Sequence, residues 1–194
     1  TSGSAARSEG GPTDQGIAAV VAAAEYASLD EICTYAENRG EQPLIILLDG
    51  ITDPHNMGAI IRSAEALGAH GVVTTQRRSA GLNATVYKAS SGAVSHMRVC
   101  RVGNLPALMQ QLKDRDVWVC GADAEGQDIS GANMSGPLAI CIGAEGEGLA
   151  RLVRERCDFL AGIPLAGQTQ SLNASCAANV MIYEAMRQRG MGAS

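Results

Sequence analysis

The chain has 194 residues, of which 46% are hydrophobic and 18% are charged, so it is long enough for one compact domain with a well-filled core. Its formal net charge of −5 does not indicate a nucleic-acid-binding surface. No apolar stretch approaches the about 20 residues that cross a bilayer. The short apolar stretch 17–24 follows Arg7, Glu9 and Asp14 instead of the basic segment of a signal peptide. These features argue against a membrane-spanning or secreted protein, and we expect a cytoplasmic one.

The six cysteines give no sign of a metal site. They stand at positions 33, 100, 120, 141, 157 and 176, and their spacing contains neither a CxxC nor a CxxH pair. Several of them lie inside apolar runs, where a reduced cysteine behaves as a small hydrophobic residue. We therefore expect buried thiols of a cytosolic protein, with no disulfide framework and no structural zinc.

The chain divides into a tail, a helical segment and an alternating region. Residues 1–16 are rich in Gly, Ser and Thr, which predicts a flexible tail or linker. Residues 17–39 have a helical pattern, with Ser28 as an N-cap for a second short helix. After Pro43 we predict strands at 44–48, 72–75, 96–102, 117–121, 137–142 and 159–163, and helices at about 57–67, 105–114, 148–157 and 174–189. This alternation predicts an α/β fold with a parallel sheet covered by helices on both faces and a ligand site at the carboxyl ends of the strands.

The first polar motif spans residues 48–64. A predicted strand ends at Asp49, a polar loop follows, and a helix is predicted to start near Asn56. Arg62 lies off the apolar stripe of this helix, so its side chain can point back over the strand ends. The alternative is that Asn56 is only a helix N-cap and Arg62 only a surface charge.

The second motif, residues 142–148, follows an apolar strand directly. Its glycines, Gly143, Gly146 and Gly148, allow the backbone to approach a ligand, but their spacing is not that of the GxGxxG dinucleotide fingerprint. The two glutamates between them would repel a pyrophosphate, so the loop favours a cationic ligand. The alternative is a glycine-rich turn with a carboxylate that caps a helix.

The third motif, residues 163–175, leads into the last predicted helix. Pro164 and Gly167 keep this segment in a loop conformation after the strand. Ser171 and Asn173 stand at the start of the helix, where a hydroxyl or amide side chain either caps the helix or reaches a substrate. Capping by itself accounts for one of these two residues.

Taken together and in this order, the three motifs resemble a known family. They read LDGITDPHNMGAIIRSAEALG, IGAEGEGL and IPLAGQTQSLNASCAA. The sequence resembles the SpoU-type RNA 2′-O-ribose methyltransferases of the SPOUT superfamily, and most of all the bacterial enzymes that modify a guanosine of large-subunit ribosomal RNA. The resemblance covers about residues 44–189 and implies a parallel α/β fold with a C-terminal deep trefoil knot.

The resemblance also implies a methyl donor, partners and site residues. S-adenosylmethionine would be the cofactor, and the enzyme would act as a homodimer with RNA across the interface. By motif position, Gly143, Ile163 and Leu172 would contact the cofactor. The residues that would surround the ribose 2′-hydroxyl as the catalytic set are Asn56, Arg62, Glu145, Ser171 and Asn173.

The high pKa of a guanidinium group argues against a role for Arg62 as a general base. A guanidinium that acts as a literal base must first lose its proton, which costs about 8 kcal/mol at pH 7. We therefore expect Arg62 to hold a phosphate or to stabilise the developing alkoxide, with Asn56 and Glu145 helping to orient it. S-adenosylmethionine carries a sulfonium and an ammonium group, which agrees with the cationic ligand expected for the second motif.

The domain boundaries and the RNA target follow from the same resemblance. We expect residues 17–40 to be a helical linker from an N-terminal RNA-binding domain missing here, and 41–194 to be the catalytic domain. A local basic patch would consist of Arg62, Arg77, Arg78, Lys88 and Arg101. The alternatives are a transfer RNA 2′-O-methyltransferase, a catalytically silent RNA-binding relative, and a superfamily enzyme that methylates a base nitrogen.

Overall fold

The computed structural model describes residues 25–190. The predicted tail, the first part of the predicted helical segment and the last four residues lie outside this range. The strands are β1 (Leu44–Asp49), β2 (Gly71–Thr75), β3 (Val99–Val102), β4 (Trp118–Asp128), β5 (Leu138–Gly143) and β6 (Phe159–Gly162). The helices are α1 (Leu29–Asn38), α2 (Pro54–Ala66), α3 (Ala84–Ala89), α4 (Leu105–Lys113), α5 (Arg151–Arg156) and α6 (Ala174–Gln188), with a short 3₁₀ helix at Ala93–Ser95.

The six strands form one parallel sheet in the order β3-β2-β1-β5-β4-β6. This confirms the predicted α/β class. At its centre β1 pairs with β5 along its whole length, from Leu44 opposite Leu138 to Asp49 opposite Gly143. Because both strands end at the same level, the loop after β1 and the loop after β5 emerge side by side. The first and second sequence motifs are therefore neighbours in space.

Helices cover both faces of the sheet, which explains the continuous apolar run of β1. Leu44, Ile46 and Leu48 belong to the core formed with α2 and α6. Ile45 and Leu47 face the other way, into the core formed with α1, α4 and α5. All five side chains are at most 1% exposed, so neither face of this strand tolerates a polar residue.

The segment before β1 is part of the fold. Ser28 caps α1 through a capping box with Glu31, as the sequence pattern predicts. The backbone of Ala27 forms an isolated parallel bridge with Cys100 of β3, which adds a short stretch to the sheet. Ile32 of α1 is fully buried, and a Cβ atom at Gly71 would lie 2.5 Å from its Cδ1 atom. The part of the expected linker that the structure describes therefore packs directly on the sheet.

Several element boundaries differ from the sequence prediction. Helix α2 begins at Pro54, and its N-cap is Asp53, whose side chain accepts a hydrogen bond from the His55 backbone N–H at 2.9 Å. The alternative reading of Asn56 as the cap is therefore wrong. Helix α5 begins at Arg151 and not at 148, because Gly148 has a φ of +68° and ends a tight turn. Helix α3 was not predicted.

The cysteines are all free thiols. Cys100, Cys120 and Cys141 are buried as predicted, whereas Cys176 on α6 is exposed, because its side of the helix faces away from the sheet. Among the helices of residues 25–190, none is long and apolar enough to span a bilayer.

Candidate active site

A cavity of about 440 Å³ lies at the carboxyl edge of the sheet. Its walls come from the loop after β5, residues 122–125 of β4 and the loop between β6 and α6, together with side chains of α5 and α6. Apolar side chains such as Ile142 and Met181 form part of its lining. The position is the one that a parallel α/β sheet offers to a ligand.

The loop after β5 is a tight turn that only glycine permits. Ala144 and Gly148 exchange two backbone hydrogen bonds, with N···O distances of 3.1 and 2.8 Å. Gly146 and Gly148 have φ angles of +77° and +68°. A Cβ atom at Gly143 would lie 2.2 Å from the carbonyl carbon of Gly148, so no side chain fits there. The glycines of the second motif therefore form a narrow backbone wall of the cavity.

Asn173 joins the three motifs at the rim of this cavity. Its Oδ1 atom accepts hydrogen bonds from the backbone N–H groups of Ser175 and Cys176, at 2.9 and 3.3 Å, and so caps α6. Its Nδ2 atom donates to Asn56 Oδ1 at 3.0 Å and to Glu145 Oε1 at 2.5 Å. Capping therefore uses only one side of the amide, and the other side orients two polar residues from distant parts of the chain.

The remaining residues assigned to the site by motif position divide into two groups. Gly143, Ile163, Ser171 and Leu172 all line the cavity. Arg62 does not line it: its Nη1 atom donates to Ser91 Oγ at 3.0 Å.

The position of Arg62 follows from helix geometry. Arg62 stands six positions after Asn56 on the same helix. At about 3.6 residues per turn, the Arg62 side chain therefore points about 240° further around the helix axis than the Asn56 side chain. In the structure Asn56 and Glu145 accept hydrogen bonds from Asn173, and Arg62 bonds Ser91 instead. That Asn56 and Glu145 orient Arg62 stays a prediction.

The sequence analysis missed a charged cluster on the cavity wall. Arg154 Nε lies 2.6 Å from Asp123 Oδ2, and its Nη2 atom lies 2.9 Å from Glu125 Oε2. The Arg154 hydrogen bond lowers the pKa of Asp123 below its usual value. The detectable signal was the acidic stretch 122–128 directly after an apolar strand, which the structure shows as an irregular extension of β4 along β6.

Fold and cavity define a parallel α/β protein whose ligand site lies at the carboxyl edge of the sheet, against a tight glycine turn. Residues 43–183 match the SpoU rRNA Methylase family. The chain therefore belongs to this family of RNA methyltransferases, which confirms the predicted family and superfamily.

Individual relatives agree with this assignment. YacO of Bacillus subtilis, named for the TrmH family of tRNA/rRNA methyltransferases, is 50% identical over 177 residues, which are 90% of this chain and 71% of YacO. The tRNA/rRNA methyltransferase homologue slr0955 of Synechocystis is 48% identical, and the chain spans only 46% of its length. The solved structure of the SpoU methyltransferase AviRb from Streptomyces viridochromogenes, in complex with the cofactor AdoMet, matches with a TM-score of 0.77 and 33% identity over 87% of this chain and 67% of AviRb.

Proposed function

We propose that this protein transfers a methyl group from S-adenosylmethionine to a ribose 2′-hydroxyl of RNA. The observation that carries the proposal is the hydrogen-bonded set Asn56, Glu145 and Asn173, which lies beside a cavity lined by Ser171. A carboxylate, two amides and a hydroxyl match the hydrogen-bonding needs of a ribose, which presents hydroxyl groups as both donors and acceptors.

The cavity fits S-adenosylmethionine, the cofactor of the AviRb structure and the methyl donor of the family. Gly143 leaves the backbone open to close approach by a ligand. Leu165 and Leu172 are 38% and 37% exposed and both line the cavity, which offers an apolar surface for the adenine ring. The carboxylates of Glu145 and Glu147 suit the positive charges of the ligand. When bound, it supplies a methyl group activated by the sulfonium.

The protein's own contribution is alignment and charge. Asn173 holds the carboxylate of Glu145 and the amide of Asn56 in one arrangement, so that the target hydroxyl meets preoriented partners. Holding two reactants in line contributes about 7–11 kcal/mol to lowering a barrier. Arg62 is exposed, and within residues 25–190 its guanidinium bonds only the neutral Ser91 hydroxyl. Its charge is therefore available to an RNA phosphate or to the developing alkoxide.

For the target we propose a guanosine of large-subunit ribosomal RNA. The name of the matched family, which refers to ribosomal RNA, supports this choice. The names of YacO and slr0955 include transfer RNA as well, so transfer RNA is the second candidate.

We further propose a cytoplasmic homodimer with RNA across its interface and a trefoil knot in the C-terminal part of the chain. Val180 and Tyr183 of α6 are 38% and 53% exposed and lie three residues apart, so they share one side of the helix. These two side chains provide apolar surface for a second copy of the chain.

The test is a methylation assay with product analysis. The purified chain is incubated with methyl-labelled S-adenosylmethionine and, separately, with unmodified transcripts of large-subunit ribosomal RNA and of transfer RNAs. Digestion to nucleosides and mass spectrometry should give 2′-O-methylguanosine from the ribosomal transcript. A base-methylated nucleoside would contradict the ribose assignment. Calorimetry with S-adenosylmethionine separates a silent relative, which binds no cofactor, from an enzyme that meets the wrong RNA.

The role of Arg62 is tested separately with a lysine variant. Lysine keeps the charge but lacks the planar fork of donors. We expect Arg62→Lys to lose most of its turnover while its affinity for S-adenosylmethionine stays at the wild-type value. Near-full turnover in this variant would contradict the positioning role.

A further inference from the structure

A second cavity lies beside the proposed methyl-transfer site. It has a volume of about 360 Å³ and extends over the carboxyl ends of β1 and β2 to Gly103 after β3. Three arginines line it: Arg77, Arg78 and Arg151. In a chain with a net charge of −5, such a concentration of positive charge in one concave surface needs an explanation.

The negative charges in this cavity are already engaged. Asp49 accepts a hydrogen bond from the backbone N–H of Ala150 at 2.7 Å, and Glu147 Oε2 lies 2.8 Å from Arg78 Nη2. Arg77 has no ion pair within residues 25–190, and Arg151 pairs only with Glu155 of its own helix, with 87% of the Arg151 side chain exposed. The lining therefore holds three arginines against two carboxylates, a formal net charge of +1, and the guanidinium of Arg77 is the one without a carboxylate partner within residues 25–190.

The Arg78–Glu147 pair stands on the boundary between this cavity and the ribose site. Both residues also line a third, smaller cavity together with Asn56 and Glu145. Their side chains are 68% and 72% exposed, and an ion pair so exposed to water holds its partners only weakly. Arg78 can therefore exchange Glu147 for another anion that offers it two acceptor oxygens.

We propose that the cavity of Arg77, Arg78 and Arg151 binds the phosphodiester next to the methylated nucleotide, and that Arg78 exchanges Glu147 for this phosphate. The guanidinium fork matches two phosphate oxygens, whereas in the ion pair its Nη2 atom contacts Glu147 Oε2. The exchange opens the boundary between the two cavities, so that neighbouring nucleotides occupy one continuous groove. This subsite rests on the proposed function, because it presumes RNA as the substrate.

The competing explanation is that the Arg78–Glu147 pair merely braces two loops. The two explanations differ in what the loss of the contact adds to the effect of the charge change itself. If the pair is a brace, the loss of the contact shifts RNA binding in the same direction in Arg78→Gln and Glu147→Gln, and any opposite shifts are no larger than those that the same charge changes cause elsewhere on the surface. If Glu147 competes with phosphate for Arg78, then Arg78→Gln weakens RNA binding and Glu147→Gln strengthens it.

The experiment measures the affinity of the chain for a fluorescein-labelled 12-nucleotide RNA by fluorescence anisotropy, without methyl donor, between 50 and 200 mM salt. For Arg78→Gln we expect weaker binding and a salt slope reduced by about 0.7, the value for one phosphate contact on a single strand. For Glu147→Gln we expect tighter binding. Arg187→Gln and Glu184→Gln are the matched controls, because they make the same charge changes in an ion pair on α6 outside the cavity.

Each outcome of this experiment either supports or overturns the proposed phosphate subsite. Opposite effects that exceed those of the two controls support the subsite. Equal directions, effects no larger than those of the controls, or no salt-dependent RNA binding by the wild-type chain overturn it. Because no methyl donor is present, the result is independent of the methylation assay. Opposite effects without any 2′-O-methyl product would leave the subsite intact and contradict the proposed function.

Discussion

Asn173 Nδ2 lies 3.0 Å from Asn56 Oδ1, although 117 residues separate them along the chain. The contact exists because Asn56 lies in the first turn of α2, after β1, and Asn173 caps α6, which packs on the same face of the sheet. Glu145 completes the set from the loop after β5, the direct neighbour of β1.

Replacement of Asn173 by aspartate separates its two functions. The aspartate keeps an oxygen for the N–H of Ser175 and so keeps the helix cap, but it loses the amide donor and places a carboxylate against Glu145. We expect methyl transfer to fall about 10- to 100-fold, from a loss of about 1.5–3 kcal/mol for a hydrogen bond to a charged group. Turnover and urea unfolding are measured on the same preparations.

Alanine is the control at this position. Asn173→Ala loses the cap as well, so its free energy of unfolding should fall by about 1 kcal/mol relative to the aspartate variant. Wild-type turnover in Asn173→Asp would show that the bridge between the motifs has no part in catalysis.

An alanine side chain at Gly143 should weaken cofactor binding if the cavity beside it holds the cofactor, as proposed. Its Cβ atom would lie 2.2 Å from the Gly148 carbonyl carbon, and the main chain has no room to yield cheaply. An overpacked site of this kind costs about 1–3 kcal/mol. Calorimetric titration with S-adenosylmethionine should therefore show weaker binding. Gly136→Ala, where an added Cβ meets nothing within 4 Å, should titrate like the wild type. Equal affinities in the two variants would show that the backbone wall at Gly143 has no part in cofactor binding.

Arg189 should be a large contributor to stability. It donates hydrogen bonds to the backbone carbonyls of Gln42, Pro43 and Gly136, and its burial lowers its pKa to about 10, so it stays charged at pH 7. We expect Arg189→Ala to lower the free energy of unfolding by about 2–4 kcal/mol, because the partly buried carbonyls of Pro43 and Gly136 lose a charged donor. Urea unfolding measures this. Arg187→Ala, which removes an exposed charge, should cost less than about 1 kcal/mol; similar losses in both variants would contradict the assignment.

The buried His70 predicts how stability depends on pH. Its Nδ1 atom accepts the Leu44 backbone N–H at 3.0 Å, and its Nε2 atom lies 3.0 Å from Glu41 Oε2. Burial lowers the pKa of His70 below 6.5, despite the opposing effect of Glu41. Below pH 6.5 the unfolded chain therefore binds more protons at this residue, so the free energy of unfolding falls as the pH falls and is constant with respect to His70 above that value.

The measurement compares urea unfolding at pH 7.5 and pH 5.5 for the wild type and His70→Asn. The variant lacks this titration, so the stability advantage of the wild type over it should shrink at the lower pH. An advantage of the same size at both pH values would mean that His70 does not titrate in this range.

The predictable parts of the fold were those with strong local patterns. The apolar run of β1 predicted a strand buried on both faces, and the structure buries Ile45 and Ile46 on opposite faces. Ser28 predicted a helix start because a cap acts within one turn. Helix α3 was not predicted, because its six residues are too few to show an amphipathic period.

The residues of the candidate site could be predicted only in part from the sequence. Gly143, Ser171 and Asn173 were found through their motifs and do meet at one cavity or its rim. The orientation of the Arg62 side chain could not be predicted, because its hydrogen-bond partner Ser91 belongs to a different segment. Ser91 lies in a turn and has a positive φ angle. Arg154 was not predicted as a cavity residue, because its ion-pair partner Asp123 is 31 residues away along the chain.

The sequence by itself determined the alternation of strands and helices, the three loops that carry polar residues, and the family, because each of these is written in residues close together along the chain. Only the tertiary structure decided that β5 lies directly beside β1, which brings the second loop to the first, and that one amide of Asn173 serves both Asn56 and Glu145. The physical reason is range: capping and hydrophobic periodicity act within a few residues, whereas a hydrogen bond between distant loops exists only after the whole sheet has set their separation.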